Sequence, residues 1–112
     1  MGNVEVGRLG EELAAIMLID KGYKIIEKNY RCRYGEIDII AINKSVLTFI
    51  EVKTRLTDSC GRGCESVTAL KRRHIKNCAQ NYLYTKGKRY EYAAVEFQVI
   101  EINVNHLDNL EF

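Results

Sequence analysis

The sequence predicts an α/β domain in which a mixed β-sheet is flanked by two helices. Three observations carry this. Apolar residues recur first at helical spacing and then in short strand-like runs, giving the order helix, three strands, helix, strand. None of the 112 residues is proline, and no repeat or low-complexity linker divides the chain, so residues 1–112 are expected to form a single domain. Two of the strands, around Ile37-Asp38-Ile39-Ile40 and Phe49-Ile50-Glu51-Val52, are apolar on both sides apart from a few charges, which suits strands covered on both faces.

Each element follows in order. Leu9, Leu13, Ala14 and Met17 recur at helical spacing, so an amphipathic helix is expected from about Val6 to Asp20. Gly22 is a suitable stop for it. A first strand runs from Tyr23 to Tyr30, with Ile25 and Ile26 at its centre. Gly35 turns the chain into a second strand, Glu36 to Ile42, and a third covers Val46 to Thr54. Leu56 to Glu65, rich in Gly, Cys, Ser and Asp, reads as a loop. Ser66 has the character of an N-cap for a helix from Val67 to about Tyr84. Its apolar stripe is Val67, Leu70, His74 or Ile75, Cys78 and Tyr82. Tyr92 to Ile100 is a fourth strand, and Ile102 to Asn105 a candidate fifth.

Bulk properties exclude several classes. Hydrophobic residues make up 46% and charged residues 29%, ordinary values for a globular chain. No apolar run reaches the length of a membrane span, and the N-terminus lacks the apolar stretch of a signal peptide. A cytoplasmic protein with no membrane partner is expected. Net charge is only +2, too low for a general nucleic-acid coat. The charge is unevenly placed, however. Arg31, Arg33, Lys53, Arg55, Arg62, Lys71, Arg72, Arg73 and Lys76 crowd the middle of the chain. Cys32, Cys60, Cys64 and Cys78 lack the spacing of a zinc site. Cys78 reads as a small core residue on the second helix, and the other three as free thiols.

The chemistry is concentrated in the second and third strands. A two-residue loop at Lys44-Ser45 would set Asn43 opposite Val46 and, in the same register, Asp38 opposite Glu51. A loop at Asn43-Lys44 would instead set Glu36 opposite Glu51. Either register leaves an acidic pair on one face beside Lys53, because side chains alternate along a strand. Facing carboxylates repel and resist joint ionisation. A divalent cation reverses both penalties, and metal-assisted phosphodiester cleavage is the natural use. The competing interpretation is a set of solvent-exposed edge-strand charges.

These residues resemble a known family. Gly7-Arg8-Leu9-Gly10-Glu11-Glu12-Leu13-Ala14, Asn29-Tyr30-Arg31, Gly35-Glu36-Ile37-Asp38, Phe49-Ile50-Glu51-Val52-Lys53-Thr54-Arg55 and Ser66-Val67-Thr68 with Lys71-Arg72-Arg73 match, in order, the motifs of the bacterial YraN-type family. That family resembles the PD-(D/E)XK nucleases and is similar to archaeal Holliday junction resolvases. The resemblance implies a restriction-endonuclease-like sheet. It also implies a Mg²⁺- or Mn²⁺-dependent DNA endonuclease, with branched or structured DNA as the candidate substrate. Asp38 and Glu51 would bind the metal, with the Val52 carbonyl as a further ligand and Glu11 approaching directly or through water. Lys53 would orient or activate the attacking water. Arg31, Arg55, Lys71, Arg72 and Arg73 would contact DNA phosphates. A homodimer is compatible, since resolvase-like relatives cut two strands as symmetric dimers. The match breaks where the family has an Arg-Phe-Asp run entering the fourth strand, because this chain has Glu91-Tyr92-Ala93 there. The alternative to a nuclease is therefore an inactive nucleic-acid-binding or adaptor protein that keeps the fold.

Overall fold

The computed structural model describes residues 3–56 and 68–104. Among them, α1 (Asn3–Asp20) leads into β1 (Lys24–Cys32), β2 (Gly35–Asn43) and β3 (Val46–Leu56). These are followed by α2 (Ala69–Lys86), a 3-10 turn (Gly87–Arg89) and β4 (Ala94–Val104). The strands form one sheet in the order β1-β2-β3-β4. The first three pair antiparallel, and β4 pairs parallel with β3, so the sheet is mixed as expected. A parallel neighbour needs a crossover connection, and α2 lies within it.

The turn between β2 and β3 decides the register. Asn43 pairs with Val46, and Lys44 and Ser45 between them both have positive φ, 49° and 66°. That backbone matches the twist of a two-residue hairpin. The ladder runs back to Ile39 opposite Ile50. One step further the Asp38 carboxylate takes over, accepting the Val52 N–H at 2.7 Å. The Lys44-Ser45 register is thus the one adopted.

Strand alternation divides the apolar residues between two layers. Ile40, Leu47 and Phe49 pack with Ile75, Cys78, Ala79 and Tyr82 of α2. Ile39, Ala41 and Ile50 pack with Ala14, Ala15 and Leu18 of α1. Each helix therefore covers one face of the sheet. At about 25 cal/mol per Å² of apolar area, these two layers supply the main driving force for folding. No helix among the described residues is long and apolar enough to cross a membrane.

Several details differ from the sequence expectation. The buried stripe of α1 is Val6, Gly10, Ala14, Ala15 and Leu18, whereas Leu13 and Met17 are each 40% exposed. Small residues win this face because the helix lies very close to β3: a Cβ on Gly10 would sit 1.7 Å from Thr54 Oγ1. The helix ends as expected at Gly22, which has φ 98°. The Tyr23 N–H donates to the Leu18 carbonyl and the Gly22 N–H to that of Ile19, a Schellman ending. Helix α2 is capped by Thr68, not Ser66: the Thr68 hydroxyl accepts the Lys71 N–H at 3.1 Å. Its core stripe takes Ile75 and leaves His74 and Leu70 exposed. The fourth and fifth strands are one, since β4 continues unbroken to Val104. The expectations for Leu56–Glu65 beyond Leu56, with Cys60, Arg62 and Cys64, and those for Ser66, Val67 and Asn105, lie outside the described residues. Cys32 and Cys78 are free thiols, and Cys78 is fully buried. Burial, with the Cys32 thiol 2.8 Å away, pushes the Cys78 thiol up to about 12.

Candidate metal centre

The hairpin register brings Asp38 and Glu51 to one pocket of about 250 Å³, lined also by Gly35, Glu36, Lys71, His74 and Ile75. Glu51 is only 7% exposed although it carries a carboxylate. An ionised group at that depth needs a counter-charge. Lys71, from the first turn of α2, supplies it at 2.7 Å. Burial works to lower the Lys71 pKa, but the hydrogen bond and charge of Glu51 outweigh it and the net shift is upward. The Thr68 cap fixes this first turn, so the cap indirectly positions the ammonium.

Asp38 is less well compensated. Burial raises its pKa, the Val52 N–H lowers it, and the charges of Glu51, Glu11 and Glu36 raise it again, for a net value of about 7. Glu11 reaches toward the same region from α1. Its pKa is raised too, first by burial and then by Glu36, with Glu51 a smaller cause. Lys53 is half-buried two residues beyond Glu51 and close enough to Lys71 to perturb it. The four residues expected at the catalytic site therefore converge on one end of the β2–β3 hairpin.

Two further residues complete the acidic end: Glu36, expected there only as the partner of Glu51 in the register not adopted, and Asn29, which had no expected role beyond its motif. Glu36 lines the pocket. Asn29 has φ 53°, an unusual value inside a strand that asparagine tolerates better than most residues. With its amide oriented to suit both neighbours, Asn29 donates to Glu11 Oε1 at 2.9 Å and to Glu36 Oε1 at 3.1 Å. It thereby ties α1 to the sheet across the acidic end. An asparagine interrupting an otherwise extended run was the available signal.

The expected phosphate contacts are distributed differently. Arg31 pairs with Glu36 at 3.3 Å, and Arg55 with Glu101 at 3.2 Å. Lys71 lies inside the acidic pocket. Arg72 and Lys76 line a neighbouring apolar cavity of about 290 Å³ with Phe49, Phe97 and Val99. Arg73 is exposed on the outer side of α2. The substituted Glu91-Tyr92-Ala93 segment is remote from the carboxylates. The Ala93 N–H donates to the Ser45 carbonyl at 2.7 Å, at the opposite end of the hairpin. Glu51 lies six positions beyond Ser45 in the chain, or about 20 Å along the strand.

The donor set is one of hard oxygens, which suits Mg²⁺ or Mn²⁺ and not a soft-ligand metal. Among the described residues, no three His, Cys, Asp or Glu side chains form a ready-made group around one point. Mg²⁺ does not require one, since it is commonly held by one or two carboxylates with water completing the shell. The uncompensated acidity around Asp38 is what a divalent cation would relieve, so the residues fit.

A mixed sheet between two helices, with an acidic pocket at the end of its central hairpin, defines a restriction-endonuclease-like α/β domain. The sequence pattern described as Uncharacterised protein family UPF0102 matches residues 10–102. The chain belongs to this family, the YraN-type group. It is 48% identical over 110 residues to a UPF0102 protein of Clostridium perfringens strain SM101, covering 98% of this chain and 88% of that one. A UPF0102 protein of Thermodesulfovibrio yellowstonii is 43% identical over 115 residues, with all of both chains covered. One of Chlorobium chlorochromatii is 46% identical over 101 residues, 90% of this chain and 76% of the relative.

Proposed function

We propose that this protein is a cytoplasmic, metal-dependent DNA endonuclease that hydrolyses phosphodiester bonds. The observation that carries this is the convergence of Asp38 and Glu51, from adjacent strands, in one pocket with Glu11 and Glu36 adding negative charge. Such a concentration destabilises the fold and persists where a site needs it. Asp38 and Glu51 would hold Mg²⁺ or Mn²⁺, with Glu11 and the Val52 carbonyl in support. When bound, the cation supplies positive charge for the phosphate and activates water for attack. Asp38 stays oriented through its bond to the Val52 N–H. Lys53 orients the attacking water and offers a compact positive charge to the phosphate. Lys71, which pairs with Glu51 at 2.7 Å, would offer its ammonium to a phosphate oxygen beside the site. Arg73, Arg72, Arg55 and Arg31 contact the flanking backbone.

The test measures Mg²⁺ affinity by calorimetry beside cleavage of single-stranded, duplex, flap and four-way-junction DNA. Asp38→Ala and Glu51→Ala are expected to lose metal binding and cleavage together. Lys53→Ala is expected to keep metal binding while cleavage falls by on the order of 10²-fold or more. A wild-type protein that binds no metal, or variants that all cut as well as it does, would overturn the proposal.

One observation favours a different class. The Lys71 ammonium already neutralises Glu51. A DNA-binding adaptor that keeps the fold could retain that ion pair permanently. It would bind DNA in EDTA and never cut in Mg²⁺, which separates it from the nuclease.

A further inference from the structure

A second concavity is lined by residues next in sequence to those of the acidic pocket. It has a volume of about 390 Å³ and is lined by Tyr34, Asn77, Gln80, Asn81 and Tyr84. This volume falls within the range of small-molecule sites, about 300–1,000 Å³. Its composition is not that of a structural crevice. Tyr34 is 40% exposed and Tyr84 is 89% exposed, so two aromatic rings stand in solvent on its rim. Three amide side chains lie between them. The Asn77 and Gln80 side chains make no hydrogen bond among the described residues, and Asn81 is oriented by the Tyr30 hydroxyl, which donates to its Oδ1. That leaves the Asn81 NH₂ as a donor. The Arg33 guanidinium sits over the Tyr34 ring, 5.3 Å from its centre.

The two pockets are lined by neighbouring residues of the same elements. Tyr34 immediately precedes Gly35, which lines the acidic pocket, and His74 of that pocket precedes Asn77 by one helical turn. Arg73, Asn77, Gln80 and Tyr84 follow one another at helical spacing along the outer face of α2. Lys71 and Asn77 are six residues apart on this helix, about 9 Å along its axis. Exposed aromatic faces beside amides and arginines are the chemistry that takes up an unpaired nucleobase. The rings stack on it, the amides meet its edge and the guanidinium groups face its phosphates.

Building on the nuclease reading, we infer that the Tyr34–Tyr84 concavity is a subsite for an unpaired base close to the scissile phosphate. A paired base cannot enter it without leaving the stack. The subsite therefore gives the enzyme a preference for DNA with single-stranded character beside the cut.

The test uses the full chain in EDTA, so that binding is read without cleavage. Fluorescence anisotropy is measured on a labelled single-stranded oligonucleotide, on the same strand with consecutive abasic sites, and on a duplex of the same sequence. Tyr84→Ala and Tyr34→Ala are expected to weaken single-strand binding by about 5- to 140-fold, the range for loss of one base stack. Tyr84→Phe is expected to stay within about twofold of wild type, because the ring is kept. Abasic and duplex DNA are expected to show little effect of any of the three. Tyr84 is almost fully exposed, so its replacement leaves the core intact, and unchanged circular dichroism confirms this. Unaltered single-strand affinity in both alanine variants overturns the inference. So does an equal loss on abasic and duplex DNA, or a wild-type protein that binds no nucleic acid. Tyrosine-dependent binding with no cleavage in Mg²⁺ sustains the subsite and removes the nuclease reading alone.

Discussion

Asp38→Asn isolates the energetic cost of the acidic site. The asparagine oxygen still accepts the Val52 N–H, while the titrating charge is gone. In the folded protein Asp38 has its pKa raised from 3.8 to about 7, chiefly by burial and against the opposing Val52 bond. The sign follows directly. A carboxyl with a raised folded pKa holds its proton more tightly in the folded state than in the unfolded chain. Its favourable contribution is complete below pH 3.8, drains away as pH rises toward 7, and is gone above that. The difference of about three pKa steps, at 1.36 kcal/mol each, sets an upper bound of about 4 kcal/mol. Solvent reaches part of the group and screens its neighbours, so roughly 2 kcal/mol is the working expectation. Urea unfolding followed by circular dichroism at pH 4, 5.5, 7 and 8 measures it. Wild type and Asp38→Asn are expected to be similar at pH 4. The variant should gain on wild type through pH 7, ending with a urea midpoint about 1 M higher. A gap between the two that is constant with pH would refute the reasoning. Saturating Mg²⁺ at pH 8 is expected to stabilise wild type and narrow the gap, because a ligand that binds only the folded state favours it.

Two further substitutions probe how the site is built. Lys71→Met removes the ammonium from Glu51 and is expected to lower metal-free stability by about 1–2 kcal/mol, less than for a fully buried pair because Lys71 is partly exposed. Calorimetry should show tighter Mg²⁺ binding in the same variant, and weaker binding would mean that Lys71 does not compete for that carboxylate. Gly10→Ala places a methyl group 1.7 Å from Thr54 Oγ1 and should destabilise by about 1–3 kcal/mol in thermal unfolding, whereas an unchanged midpoint would show that α1 is not held at that distance.

The sequence made the sheet legible wherever a local rule was strong. A two-residue hairpin has few registers, so the sequence left two open, each setting an acidic residue of β2 opposite Glu51, and the positive φ of Lys44 and Ser45 selects the one with Asn43 opposite Val46. Gly22 announced its Schellman ending. The face of α1 was misjudged because hydrophobic periodicity weighs large residues, while close helix–sheet contact selects small ones at Gly10 and Ala14. Ser66 and Thr68 are both competent caps, and only the first turn's placement against Glu51 distinguishes them. Glu11 came through the family resemblance alone, since its partners Asn29 and Glu36 come from other elements. Lys71 was read as part of a basic face because charge runs reveal sign and not direction. The orientation of one side chain toward Glu51 depends on how α2 docks.

The parallel seam between β3 and β4 also bears on synthesis. The chain emerges from the ribosome N-terminus first, at about 5–20 residues per second. Once β3 has emerged, β2 can occupy one of its edges at once. The other edge stays bare until α2 and then β4 have followed. A bare strand edge invites pairing with foreign strands, and charged side chains on it discourage that. On β3 those charges are Glu51, Lys53 and Arg55, alternate residues on one face. The hypothesis is that the residues assigned to the site also protect the nascent strand while its neighbour is still being made. Chains ended before Ala94 should then become markedly less soluble when Glu51 and Lys53 are both changed to Thr, and equal solubility would dissolve the link. Selection on these positions would in that case act twice, once on the finished molecule and once on the chain still being built.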